Sequence, residues 1–448
     1  MRNDGKHTVI DAVERTDPHP MDADIIIRFL DLCRRVRPPH FFWRSPDGDT
    51  LLCAGARNVL APPDTASWRE WCRAELPLDD GIPAVFLSYF NPTEKKHPVW
   101  KSFTPVSCFQ SQAGMLLRPG TELRWGSEMR SESEMRSESE MAIASDVDSM
   151  ERGIEAAGAE DDGPENPRAP GGMANGDVGF SRSDERQGAE AYRARVNRVL
   201  TDLRAGTLGK VVMAREFRTR LPRPFDLARS LGSMLRLRDS FAVCYSPDGA
   251  RYFLSATPER LGRISGGRFE TIALAGTMAE TQATRSAKDL LTDEKEHREH
   301  AFVVEMIRAA CDTFATEVTV DAARVLSLPH VRHMLTRFSG SMRGGHGLRH
   351  VIAALHPTPA VGGTPRSEAM RLIEEIEPFG RGMYAGCAAW FLGDGDGDAA
   401  VTIRSALLRH DEAILWAGAG IVRESEAEAE ERETWAKLRT MRDILDRE

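Results

Sequence analysis

Residues 125–187 limit how this chain can fold more than any other feature. The hexapeptide SEMRSE occurs at Ser127–Glu132 and again at Ser133–Glu138, and an acidic stretch rich in Gly, Pro and Asn follows. Almost no apolar residue there recurs at a helix or strand period, so the segment has no face to bury and is expected to be an exposed, mobile insertion. A short helix through the repeat is compatible with its Glu, Met and Arg content. Whatever core exists must be built from the flanking regions. The expected division is a polar tail at 1–22, an amino-terminal part of the fold at 23–124, the insertion, and a main region at 188–448. With 448 residues the chain could hold two average domains or one large mixed core, so length does not decide between them.

Hydrophobic residues are 41% of the chain and charged residues 28%, enough apolar material for a packed core. The formal net charge of -9 and the lack of a basic, aromatic-interleaved stripe argue against nucleic-acid binding, which needs a basic surface. The seven cysteines are scattered and form no CxxC pair, which argues against disulfide frameworks and zinc knuckles and fits a reducing cytoplasm. MRNDGKHTVIDAVERTD is polar where a signal peptide needs an apolar core, and no later run approaches membrane-spanning length. A soluble cytoplasmic protein is expected.

Before the insertion, HFFWRSPDGDTLLCAG and VFLSYFNP read as strands joined by turns. After it comes a helical pattern near Ala189–Ala205, followed by the strand GKVVMAREF from Lys210. Alternation there puts Lys210, Val212 and Ala214 on one face and Val211, Met213 and Arg215 on the other. RYFLSATPERL reads as a strand with Glu259 at its exit. Leu290–Phe314 reads as a long helix with a stripe of Val303, Ile307, Ala310 and Phe314, and Glu299 lies one turn ahead of that stripe. AAVTIRSALL and AILWAGAGIV read as two more strands. Ser425 is placed to cap a last helix, which packs through Trp435, Leu438, Met441 and Leu445 and carries a second stripe of Glu430, Glu433 and Lys437. Strands and helices in this mixture give an α/β (α+β) fold, with sheets packed against helices.

Several polar residues in these elements have a chemical reading and a plainer one. Glu299 on an inward face needs compensation by a cation or by hydrogen bonds, and Glu433 could share a hard cation such as Mg2+ with it; the alternative is two surface acids. Arg404 shares a strand face with Thr402 and Ala406, which leave room for a planar carboxylate; the alternative is an internal salt bridge. Lys210 opens an apolar strand, where burial makes a lysine usable as a general base, although many strand-end lysines simply reach solvent. Glu259 stands where active-site groups often stand and where solvated turn acids also occur. His297 and His300 lack the i, i+4 spacing of a helical zinc site and are read as partly exposed. GDGDGD at Gly393–Asp398 lacks the rest of a calcium loop and reads as a hairpin turn. Gly418-Ala419-Gly420 lacks the dinucleotide fingerprint, though its backbone suits close approach to a small anion.

Taken in order, GKVVMARE, FLSATPERL, TIALAGTMAE, DEKEHREH, RHMLT, LHPTPAVGGTPR, GMYAGCAAW, VTIRSALL, AGAGIV and ERETWAKL resemble the chorismate-utilising enzymes. That group contains isochorismate, salicylate, anthranilate and aminodeoxychorismate synthases, and the motifs cover most of Lys210–Lys437. The resemblance implies one large catalytic domain acting on chorismate, as a monomer without an obligate amidotransferase subunit. It implies that Glu299 and Glu433 hold Mg2+, with Glu430 contacting a metal-bound water. Arg404, Lys437 and the backbone around Gly418 would take up carboxylates, and Thr277 and His333 would line the pocket. Lys210 would activate water for attack at C2 while Glu259 protonates the departing C4 hydroxyl, a 1,5-displacement that needs no organic cofactor. Ammonia-using relatives resemble the chain less at Lys210, and Ala360 with Val361 in LHPTPAVGG is similar to the isochorismate-forming group. The product would then be isochorismate for menaquinone or siderophore synthesis. The sequence departs from the family's usual pattern at Met278–Glu280, where basic residues are common, and at Glu296, where Asp is commoner.

Overall fold

A computed structural model describes residues 9–11, 20–60, 67–74, 76–79, 81–92, 98–118, 121–125, 182–279 and 287–446. Most of the expected insertion, residues 126–181, therefore lies outside the described residues; positions 182–187 belong to the helix Arg182–Arg204. Val9–Asp11, within the expected polar tail, pairs in parallel with Arg324–Leu328. Among the described residues no helix is long and apolar enough to cross a membrane.

Nineteen strands of the described residues join into one sheet. Lys210–Arg220 pairs with Glu412–Ile421, which leads through Ser405–Arg409, Tyr252–Thr257 and Phe241–Ser246 to the hairpin of His40–Arg44 and Thr50–Val59. The path continues through Val106–Arg118 and Ala84–Ser88 to Cys387–Phe391 and Gly397–Val401. It ends in Arg260–Ser265, Arg268–Ala279 and Val331–Met342. The amino-terminal strands are thus spliced into the middle of a sheet whose two wings come from the carboxy-terminal region. One mixed α/β fold results, and neither half has a complete sheet alone.

The strands alternate as a pleat requires, and both faces are apolar. Phe41, Trp43, Leu51 and Cys53 enter one core with Trp100, Trp390 and Trp416, while Phe42, Leu52 and Ala54 enter the other. The second core lies under the helices Pro20–Arg35, Leu227–Leu235 and Ala427–Asp446, which supply Phe29, Leu231, Met234, Leu438 and Met441. Burying an aromatic or aliphatic side chain of this size stabilises a fold by roughly 1.5–3 kcal/mol. A core so rich in Trp and Phe can therefore hold costly polar groups elsewhere.

Four elements differ from the sequence reading. RYFLSATPERL is broken at Pro258-Glu259 into two strands, which leaves Glu259 between them, at the exit of the first. AAVTIRSALL is also two strands, Gly397–Val401 and Ser405–Arg409, so Arg404 shares no strand face with Thr402 and Ala406; it sits in the break with φ of 49°. The long helix starts at Glu294 rather than Leu290, because the Asp293 carboxylate accepts from the Lys295 and Glu296 amides as its cap. Ser425 does not cap the last helix: its Oγ accepts from Val422 N and closes the preceding turn. The GDGDGD segment is a hairpin turn, with Gly395 at φ 92°. His297 is exposed as expected, but His300 is buried, because it faces the strand Arg268–Ala279 rather than solvent.

Candidate active site

Two glycines bring the strands close enough to make a cleft. In the ladder between Glu412–Ile421 and Lys210–Arg220, Gly420 stands opposite Val212 and Gly418 opposite Ala214. A Cβ at Gly420 would meet the Glu299 carboxylate and come within 2.8 Å of Lys210 Cε; at Gly418 it would come within 2.9 Å of the Tyr384 hydroxyl. Only glycine leaves this space open. The cleft, about 540 Å³ counted to its open mouth, is lined by Glu259, Thr277, Glu299, His333, Ala360, Arg404, Gly418 and Lys437 among others. Eight of the residues singled out from sequence therefore meet in one place.

At one end, carboxylates and lysines interlock. Lys210, fully buried, places Nζ 3.0 Å from Glu299 Oε1. Lys437 Nζ, a turn from Glu433 on the last helix, donates to Glu433 Oε1 at 2.6 Å and to the Gly418 carbonyl at 2.9 Å. Lys295 Nζ lies 2.8 Å from Glu430 Oε1 and 3.0 Å from Glu296 Oε1. Burial acts against the Glu299 carboxylate, yet Lys210, Lys295 and Lys437 hold it below its usual pKa. Burial and the Glu299 charge push Glu296 up to about 8, and burial raises Glu430 to about 7 against the pull of Lys295. Four acids thus share three ammonium groups, and with all four ionised the cluster is one positive charge short.

That shortage bears on the expected cation. Among the described residues no three His, Cys, Asp or Glu groups stand close enough to cage a metal by themselves. Glu299 Oε2 is nevertheless buried without a hydrogen bond, and its neighbours are hard oxygen donors of the kind Mg2+ prefers. Glu299, Glu433 and Glu430 fit such an ion by charge and donor type.

The opposite end is built around one guanidinium. Arg404 is 4% exposed, and its bonds go to neutral groups: His333 Nε2 at 2.9 Å, and Thr440 Oγ1 and the Lys437 carbonyl at 3.4 Å. Among the described residues no carboxylate lies within ion-pair distance of it, which rules out the internal salt bridge the sequence left open. Burial lowers its pKa to about 10. A guanidinium only donates, so His333 Nε2 accepts and Nδ1 carries the hydrogen, which goes to Thr277 Oγ1 at 3.0 Å. The register supports this, since Thr277 and His333 are paired across their strands. Burial, together with Arg404 and Lys437, keeps the imidazole neutral.

Glu259 is buried between these ends, and Thr358 donates to its Oε1 at 3.2 Å. Burial raises its pKa to about 7, partly offset by the Thr358 bond and by Lys210, Lys437 and Arg404. A carboxyl held near neutrality can deliver a proton. Ala360 and Val361 are among the apolar residues that line the same cleft.

Sequence reasoning missed several contributors. Tyr384 lines the cleft from GMYAGCAAW, and Lys295 and Glu296 complete the charged cluster. Arg381, 1% exposed, donates to the Val212 and Val361 carbonyls at 2.7 and 2.8 Å and pairs with Glu377, whose Oε1 accepts from Ala214 N at 2.7 Å. That tie fixes the wall against the Lys210 strand. The spacing of Glu377 and Arg381, i and i+4, was the available signal.

Comparison with known proteins gives the same chemistry a family context. Residues 5–446 match the family described as chorismate binding enzyme. The salicylate biosynthesis isochorismate synthase of Pseudomonas aeruginosa is 38% identical over 292 residues, which is 62% of this chain and 59% of that protein. Isochorismate synthase MenF of Bacillus subtilis is 37% identical over 237 residues, 52% of this chain and 50% of that one. The matched stretches thus span 50–59% of these relatives. Among solved structures, MenF of Escherichia coli, the menaquinone-specific isochorismate synthase, superposes with a TM-score of 0.67 at 23% identity, covering 98% of this chain and 94% of that one. At that identity the likeness establishes the fold.

Proposed function

The chain belongs to the chorismate binding enzyme family, and from that premise we propose that it is an isochorismate synthase, converting chorismate to isochorismate with Mg2+. The observation that carries this reading is Arg404, a buried cation facing the cleft with no carboxylate of the described residues within ion-pair distance. A buried charge without a counter-ion is costly, so the cleft favours an anionic ligand, and a guanidinium matches a planar carboxylate. Lys437, which bonds the Gly418 carbonyl and is paired with Glu433, stands at the other end, where it would share a second carboxylate with Mg2+. A dicarboxylate such as chorismate meets both needs.

Between these anchors the two proton-handling groups are distinct. Lys210 would act as the base toward the water that attacks C2. Glu259, half protonated near neutrality, would give one to the C4 hydroxyl as it leaves as water. The ring double bonds shift, one hydroxyl is gained and one lost, and no electron acceptor is needed. Mg2+ held by Glu299 and Glu433, with Glu430 reaching it through water, would supply positive charge for a substrate carboxylate. Ala360 and Val361 offer no polar group for a lyase step, which favours release of isochorismate, to feed menaquinone synthesis or alternatively a salicylate or siderophore route.

Incubating the purified protein with chorismate, with and without Mg2+, and resolving products by chromatography and mass spectrometry tests this. Metal-dependent isochorismate without pyruvate is expected, carrying one heavy oxygen when the reaction runs in oxygen-18 water. Salicylate with pyruvate, an ammonia-dependent product, or no turnover would overturn it.

A further inference from the structure

His300 serves neither the acid, the base nor the charged cluster, yet it is buried one residue from Glu299. Its surroundings explain why. The strand Arg268–Ala279 runs in register with Val331–Met342 until Ala275 opposite Met334, then resumes at Thr277 opposite His333; Gly276 is the extra residue, at φ 77°. Such a bulge leaves backbone groups without ladder partners, and leaving a buried one unsatisfied is costly. Here both flanking groups are taken by one helix. His300 Nδ1 donates to the Ala275 carbonyl at 3.0 Å, and Glu296 Oε2 accepts from Thr277 N at 2.7 Å. Glu296 and His300 are i and i+4, adjacent on one helix face. Since Nδ1 carries the hydrogen, Nε2 accepts from the Thr336 hydroxyl at 2.8 Å. The helix also sits tight against the bulge: a Cβ at Gly276 would lie 3.0 Å from the Glu296 carbonyl.

We infer that Glu296 and His300 are positioning residues: they grip the two backbone groups beside Gly276 and so aim Thr277 at His333, which in turn holds the Arg404 guanidinium for the substrate carboxylate. This extends the proposed isochorismate synthase reading, because the quantity positioned is the carboxylate-binding end of that cleft. The grip also ties the helix bearing Glu299 to the strand bearing Thr277, so the two ends of the cleft move together.

The test compares His300→Asn, whose amide nitrogen can occupy the Nδ1 position, with His300→Gln, whose amide reaches only the Nε2 position, and with His300→Leu. Amide hydrogen exchange of the peptide 268–279 should rise in the Gln and Leu variants and stay near wild type in Asn. The KM for chorismate should rise about tenfold in Gln and Leu with kcat nearly unchanged, and Asn should rescue it. Thr336→Val, which removes only the other bond, should lower thermal stability without moving KM. If Leu fails to fold, the Asn against Gln contrast carries the result. Asn behaving like Gln, or effects confined to melting temperature, would overturn the inference. Wild-type protein inert toward chorismate would sink the functional reading instead, and the exchange contrast would still decide the grip.

Discussion

At the lysine-rich end of the cleft four carboxylates meet three ammonium groups across 2.6–3.0 Å, whereas at the other end the Arg404 guanidinium meets, among the described residues, a neutral imidazole, a hydroxyl and a carbonyl. The first end is nearly compensated internally, and it lacks about one positive charge. The second has a positive charge and lacks an anion. The proposed dicarboxylate, bound with a divalent cation, would complete both at once, which is why the two ends together say more than either alone. Glu259 lies between them, with burial and three surrounding cations pulling its proton affinity in opposite directions.

Changes to the proposed base and to the acids around it should have the largest effects. Lys210→Ala should lower kcat by roughly 10²–10⁴-fold while chorismate still binds, as titration calorimetry would show; turnover like wild type would remove Lys210 from the chemistry. Glu433→Ala strikes the compensated end and should abolish both activity and the response to added Mg2+, read from rates across a metal titration. Retained metal dependence would place the ion elsewhere. Arg404→Lys strikes the uncompensated end: it keeps the charge and loses the planar fork, so KM should rise about 10–100-fold with a smaller change in kcat. A changed kcat with constant KM would contradict ground-state carboxylate binding.

The smallest expected effect is a shift in pH dependence. In the proposed reaction Glu259 acts in its protonated form, and its pKa is raised to about 7, so the protonated fraction, and the rate, should fall as pH rises through that value. The Thr358 bond lowers the pKa, so Thr358→Val should move this falling limb to higher pH. A limb that moves down, or stays fixed, would show that another group governs it.

How much of this was legible beforehand depended on whether the signal was local. Glu299 was readable because an acid in line with Val303 and Ile307 has to face inward, and Lys210 because a charged residue opens an apolar strand. Gly276 interrupting a strand pattern is a bulge signal that went unread, and reading it would have predicted two backbone groups in need of partners. The turn of Arg404 out of its strand had no such marker, since a non-glycine residue at φ 49° is set by contacts with other parts of the chain. One is Ala256, whose amide bonds the Arg404 carbonyl at 3.0 Å. The lysine partners of the acids were equally hidden, because Lys210 and Glu299 come from elements whose approach depends on glycine 121 positions further along at Gly420.

The splicing of the amino-terminal strands into mid-sheet has a consequence for synthesis. Ala84–Ser88 finds its outer neighbour only in Cys387–Phe391, and His40–Arg44 finds its own only in Phe241–Ser246. A ribosome therefore releases the first strands long before either can be covered, and both edges wait with unpaired amides and carbonyls. Such long-range pairing slows folding and exposes intermediates to aggregation. Chains terminated before residue 387 should collect as insoluble material rather than as a smaller folded unit.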